Sequence, residues 1–300
     1  MDKNNEKRTI NRILVPIDFS HSSLNACYFA LHLAARHNSA IRLFHAFFNP
    51  MVDAMTFPDA FTYQSNMAEV YHELEHKARK EINAFSGKLE RYSRLKNLAT
   101  VKIETMVAAG QPGDEIENAV RSFDPGLIVI GTRGHGEKSA EILGSVAARV
   151  MDGSGTPLLL VPGDAALKEE EPVKILYATN FDETDFRAVE SLANILTGYS
   201  IRLECVHFSA PSKSGEKETD REKLSEMKNH FNRSHPEIQL GCHSIENKDI
   251  IAGLDSFVEN NDIDLIALTH RKRNMFYRIF NPSLAKKLLF KSSRPVFVFN

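Results

Sequence analysis

Short apolar runs alternate with longer amphipathic stretches along the whole chain. The runs "ILVPI" from Ile13, "AIRLFHAF" from Ala40, "LIVIG" from Leu127 and "PLLLVP" from Pro157 are rich in Val, Ile and Leu. Continuous apolar character over so few residues suits strands buried on both faces. Between them the apolar positions recur every three or four residues, which predicts helices. Strands alternating with helices in this way make βαβ units and a parallel sheet covered on both sides. In the first half the pattern predicts strands near 12–17, 40–47, 101–107, 126–131 and 157–161. Ser20, Ser22 or Ser23 can cap a helix running to about His37. Between the second and third strands, Met67, Val70, Leu74, Ala78, Ile82, Phe85 and Leu89 fall at helical spacing. They predict one long helix lying over the sheet.

The pattern then repeats. "RILVPIDFSHSSLNACYFALHLAARHNSAIRLFHAF" from Arg12 corresponds to "KILYATNFDETDFRAVESLANILTGYSIRLECVHF" from Lys174, and "LIVIGTRGHGEKSAEILGSVAARVM" from Leu127 aligns without a gap with "LIALTHRKRNMFYRIFNPSLAKKLL" from Leu265. Each half closes on a Pro-led strand, "PLLLVP" and "PVFVFN". Self-similarity over this period is the mark of a duplicated domain. The charged, proline-bounded "PGDAALKEEEP" reads as the linker, which places the domains at 1–163 and 172–300. In the second half the long helix has a shorter, more charged counterpart around "GEKETDREKLSEMKNHF".

Composition adjusts this picture only slightly. Three hundred residues with 42% hydrophobic content suit two cores better than one. Thirty-seven basic against thirty-nine acidic residues leave a formal charge of −2, so no overall field points to nucleic acid or an anionic membrane. Cys27, Cys205 and Cys242 are odd in number and lack CxxC spacing, which argues against a disulfide framework and a zinc cage and suits structural thiols in a reducing compartment. The polar N-terminus and the lack of a long apolar run favour an unexported, cytoplasmic protein that meets no membrane.

The candidate chemistry lies in "GTRGHGEKSAEILGS", Gly131–Ser145, between a buried strand and a helix. Ligands of parallel sheets gather at the carboxyl ends of strands. Glycines there let main-chain N–H groups approach a ligand closely, and a helix N-terminus favours an anion. Phosphate fits both features. There is no GxxxxGK[ST], so a P-loop is excluded, and the glycines follow the fourth strand instead of the first, unlike a dinucleotide-binding GxGxxG.

The spacing Gly-x2-Gly-x9-Gly-Ser, together with Asp18 in the opening "ILVPIDFS", resembles the universal stress proteins in their tandem form, over nearly the whole chain as two copies. The resemblance implies two Rossmann-like α/β domains, each a five-stranded parallel sheet flanked by helices, joined as an intramolecular pseudo-dimer through their fifth strands; a homodimer of chains stays open. It implies an adenine nucleotide site for ATP, AMP or ADP, with Mg2+ carried by phosphates and water. Pro16 and Asp18 would line the nucleoside end, Asp18 accepting from ribose hydroxyls, and Ile41 would lie beside the adenine. Ile130, Gly131, Gly134, Gly144, Ser145 and Val146 would surround ribose and phosphates. No catalytic or metal-ligating residue is assigned. The function this implies is that of a nucleotide-binding stress-response or signalling protein, with a slow metal-assisted ATP hydrolase and a ligand-independent adaptor as alternatives.

In the second half Thr269, Lys272 and Pro282 replace Gly131, Gly134 and Gly144, and Asn180 replaces Asp18; Ser283 alone survives. A proline lacks the N–H that a phosphate would use, so one nucleotide per chain is expected, in the first domain only. Arg271, Lys272, Arg273 and Arg278, interleaved with Phe276, Tyr277 and Phe280, read as a site for a different anion, a solvated loop or a contact surface. Several single residues admit two readings. Asp18 is a ribose ligand or a helix cap, and His45 a hydrogen-bonded core residue or a ligand. Arg133 and His135 touch phosphate or solvent, and "NPMVDAMTFPDAFTY" is a flap or a packed connection.

Overall fold

The computed structural model describes residues 10–48, 64–98, 100–134, 143–166, 172–181, 183–209, 214–270 and 293–300. In the first half, strands β1 (Arg12–Pro16), β2 (Ala40–Phe47), β3 (Ile103–Ala109), β4 (Leu127–Gly131) and β5 (Leu158–Val161) alternate with helices α1 (His21–His37), α2 (Gln64–Leu95), α3 (Pro112–Phe123) and α4 (Ser145–Gly153). The second half repeats the scheme with β6 (Val173–Ala178), β7 (Ile201–Ser209), β8 (Gln239–Glu246), β9 (Leu265–Thr269) and β10 (Val296–Phe299), and with α5 (Glu183–Ile195), α6 (Ser214–Ser234) and α7 (Ile250–Asn260). The predicted strands are all present, with β3 lying two residues further along than its pattern suggested.

All ten strands join one sheet in the order β3-β2-β1-β4-β5-β10-β9-β6-β7-β8. Within each half the pairing is parallel. At the centre β5 and β10 run antiparallel, with Leu160, Leu159 and Leu158 opposite Val296, Phe297 and Val298. These two apolar edges would be open to any other strand if the halves stood apart, and pairing removes that hazard. The halves are thus related as a pseudo-dimer.

Two buried layers flank the sheet. One packs α1, α2, α5 and α6 against Ile13, Val15, Leu43, Tyr177 and Phe297, running without a break across both halves. The other packs α3, α4 and α7 against Leu14, Phe44, Ile130, Leu160 and Val298. Polar contacts also cross the seam. His270 Nε2 lies 3.1 Å from Asp152 Oδ1, and Arg36 donates to the Gly198 carbonyl while stacking over Tyr199 at 4.5 Å.

The long helix α2 covers the sheet with only part of its stripe. Ala78, Ile82, Phe85 and Leu89 are buried, but Val70 is 42% exposed. A 32-residue helix is about 48 Å long, longer than the strands beneath it, so its first turns overhang. Among the described residues no helix is long and apolar enough to cross a membrane.

Candidate functional site

A cavity of about 320 Å³ opens where β1, β2 and β4 end, beside the starts of α3 and α4. Two turns of chain build it. After β1 the backbone bends sharply at Phe19, whose φ of 64 is rare for a bulky residue. The bend turns Asp18 toward the cavity and leaves Ser20 to cap α1, accepting from Ser23 N–H at 3.2 Å. Asp18 is therefore not the cap; its Oδ1 accepts the Ser20 N–H at 3.1 Å. The Phe19 ring rests on His45, centroids 4.5 Å apart, and His45 donates from Nδ1 to the Ile17 carbonyl at 2.9 Å. His45 is thus hydrogen-bonded as a core histidine, yet it also lines the cavity.

After β4 the chain departs at Thr132 and returns at Gly144, whose N–H donates to the Thr132 carbonyl at 2.8 Å. The loop is pinned at its base by Ser20, which donates its hydroxyl to the Arg133 carbonyl. Helix α4 then starts with no side-chain cap on Gly144. The first N–H groups of a helix have no partner within it, and Ser145, Val146 and Ala147, which carry them, all line the cavity.

The two glycines of the loop have different reasons to be glycine. A Cβ on Gly134 would stand 2.9 Å from Asp18 Oδ2, so a bare backbone keeps the carboxylate and the cavity clear. A Cβ on Gly131 would stand 2.7 Å from the Ser22 backbone carbon. Its bareness serves the packing of α1 on β4, a need the sequence did not separate from ligand approach.

Of the nine residues singled out from the sequence, Pro16, Asp18, Ile130, Gly131, Gly134, Gly144, Ser145 and Val146 come together around this cavity. Ile41 does not. It is 2% exposed, sits near the start of β2, and belongs to the core beneath α1 and α2. At about 3.3 Å per residue, it is more than 10 Å from the strand's carboxyl end. Phe44, His45 and Ala46 line the cavity from β2 instead, and Pro112 and Ile116 from the start of α3. The rule that ligands gather at carboxyl strand ends would have found them. The apolar wall and the helix N-terminus give the cavity one greasy side and one anion-seeking side. His135 and the segment 49–63 lie outside the described residues, as do Lys272, Pro282, Ser283 and the basic, aromatic stretch 271–280.

The second half keeps the frame and alters the contents. Phe181 repeats the bend with φ 63, its ring 4.5 Å from His207, and His207 donates to the Thr179 carbonyl at 2.9 Å. Where the first half has Gly131, Thr269 stands, hydrogen-bonded through its hydroxyl to Tyr177 at 2.7 Å. Tyr177 also donates to Asp185, which accepts from the Thr179 hydroxyl at 3.0 Å and the Asn180 N–H at 2.8 Å. Burial raises the Asp185 carboxyl above its usual range against these hydrogen bonds, which lower it. Asp185 occupies the place of Ser23, a cavity-lining residue of the first half. The Asn180 side-chain oxygen is buried and accepts no hydrogen bond from the described residues.

Comparison with known proteins agrees with this duplicated geometry. Over half its length the chain is 29% identical to universal stress protein YxiE of Bacillus subtilis, covering 98% of that protein. It is 30% identical to universal stress protein MJ0531 of Methanocaldococcus jannaschii over 52% of this chain and 85% of that one. The crystal structure of a universal stress protein from Archaeoglobus fulgidus matches 97% of this chain and 98% of its own, with a TM-score of 0.63 and 21% identity, and so shares the fold of both halves together. The profile of the Universal stress protein family matches residues 9–162 and again 173–300. The chain is a tandem member of the universal stress protein family.

Proposed function

We propose that the first half binds an adenine nucleotide, ATP first among them, at the carboxyl edge of β1 and β4, and that the second half does not. One observation carries the reading: the uncapped N-terminus of α4, the Asp18 carboxylate and the bare Gly134 meet in one cavity with an apolar wall. Each part suits a different part of a nucleotide. The α4 N–H groups and the Ser145 hydroxyl suit phosphate oxygens, and Asp18 suits ribose hydroxyls. Pro16, Phe44, Ile116 and Ile130 suit a flat base. The cavity volume lies in the range of small-molecule sites, roughly 300–1,000 Å³. Mg2+ would come with the phosphates, which carry most of its ligands.

Binding is favoured over hydrolysis by the commitments already made around the cavity. Asp18 Oδ1 accepts the Ser20 N–H and His45 donates Nδ1–H to the Ile17 carbonyl, so both have structural roles, and no P-loop lysine is present for the phosphate end. In the second half the Tyr177–Thr269–Asp185 network fills with side chains a region where the first half has Val15, Gly131 and Ser23. That filling supports a single nucleotide per chain; the role proposed with it is cytoplasmic signalling read out through occupancy of the first half.

Two measurements test this. Denaturing protein saturated with ATP and freed of excess is expected to release one adenine nucleotide per chain; two per chain would overturn the reading of the second half, and none would overturn the site. Asp18→Ala is expected to weaken ATP binding by about 10–100-fold, from the loss of a charge-assisted hydrogen bond of about 1.5–3 kcal/mol. Because Asp18 also holds the Ser20 N–H, the melting temperature without nucleotide is measured alongside. Unchanged affinity in a folded variant would remove Asp18 from the site.

A further inference from the structure

Cys205 on β7 and Cys242 on β8 stand directly opposite each other in the parallel register. Their side chains point to the same face, into the core beneath α6. Neighbouring strands are spaced by about 4.8 Å, inside the Cα separation of about 4.4–6.8 Å that a disulfide spans. The two free cysteines are close enough for each thiol to shift the other's proton affinity. Their settings differ. Cys205 is sealed, whereas Cys242, on the last strand of the sheet, is half-buried.

We propose that Cys205 and Cys242 form a peroxide-responsive disulfide site, independent of the nucleotide cavity, that ties the edge strand β8 to β7. Cys242 is the attacking sulfur. The hydrogen bond from Cys205 lowers its thiol from the usual range, with the Lys228 ammonium adding to the effect, against burial and Glu204, which raise it. The hydrogen bond to Cys242, followed by burial, pushes Cys205 up, so it keeps its proton at first.

The Cys242 thiolate attacks one oxygen of hydrogen peroxide and the O–O bond breaks. Cys242 becomes a sulfenic acid and hydroxide leaves. The Cys205 thiol then attacks that sulfur and releases its proton, the S–O bond breaks, and water departs as the S–S bond forms. Overall, two thiols and one peroxide give one disulfide and two waters. Cys27 stands apart on the buried face of α1, its thiol pushed far above its usual range by burial alone, and is expected to remain a thiol.

The test exposes the full chain to hydrogen peroxide, quenches it, alkylates under denaturing conditions and maps the peptides by mass. The expected result is loss of two of the three thiols and a Cys205–Cys242 linked peptide lighter by two hydrogen atoms, restored by dithiothreitol. In Cys205→Ser, Cys242 is expected to stop at a sulfenic acid that dimedone captures. In Cys242→Ser, Cys205 is expected to stay a thiol. Three intact thiols, a disulfide between chains, or Cys242 driven to sulfinic acid without the linked peptide would each overturn the proposal. Should Cys205→Ser fail to fold, the wild-type peptide map decides alone. Since the chemistry is read without nucleotide, its outcome is separate from that of the ATP site.

Discussion

Gly134→Lys is expected to abolish ATP binding while leaving the sheet folded. The backbone of Gly134 lies outside the left-handed region that would demand glycine, so a side chain there is no conformational strain. It is a spatial intrusion instead. The first carbon would stand 2.9 Å from Asp18 Oδ2, and the rest of a lysine would extend into the cavity, where its ammonium would pair with the Asp18 carboxylate. The loss is expected to be at least about 100-fold in affinity, or about 2.7 kcal/mol. Stability without nucleotide should change by no more than about 0.5 kcal/mol, as at other surface positions. Titration calorimetry with ATP, beside thermal denaturation of the free protein, checks both halves of the expectation. Wild-type affinity in this variant would mean the nucleotide sits somewhere else. The second half carries lysine at the aligned position, Lys272, so the substitution copies a change the chain itself contains.

The second large effect is expected at the seam. Phe297 is fully buried, faces Leu159 across the antiparallel pair, stacks with Phe299 at 6.0 Å and belongs to the core layer shared by both halves. Phe297→Ala leaves a cavity that costs about 3–5 kcal/mol, a large share of the roughly 5–15 kcal/mol that holds a folded protein. Because the layer is continuous, the variant is expected to unfold in one transition at a lower denaturant midpoint, with both halves lost together. A change under about 1 kcal/mol, or two separated transitions, would show that the halves stand independently.

How much of this was legible in the sequence depended on which physical rule fixed each feature. Strand positions were legible because buried parallel strands must be short and apolar throughout, and the two halves gave the same pattern twice. The pairing of "LLLV" with "VFVF" followed from two bare apolar edges that need covering. The glycine loop was legible because spacing alone carried it. Ile41 lies away from the cavity, and an eight-residue strand has no mark showing which end meets it; the carboxyl end, Phe44 to Ala46, does. Val70 kept the helical stripe although it is exposed, since periodicity records a face and not what it meets. The Cys205–Cys242 register was hidden because parallel strands are joined by a crossover helix, and no turn fixes their alignment. Asp185 carries no sequence mark beyond its place in the first turn of a helix, and only the fold brings Tyr177 and Thr179 to it and Thr269 to Tyr177.

The antiparallel join of β5 to β10 reverses the direction of every strand beyond it. The carboxyl ends of β1 and β4 therefore open on one rim of the sheet, and those of β6 and β9 on the opposite rim. A small molecule seated in the first half cannot touch its counterpart position in the second. Any message between them must cross the seam where β5 meets β10, through the shared core layer and the contacts of Asp152 and Arg36 beside it, which makes the midline of the molecule, and neither rim, the place where communication between the duplicated halves would be cut.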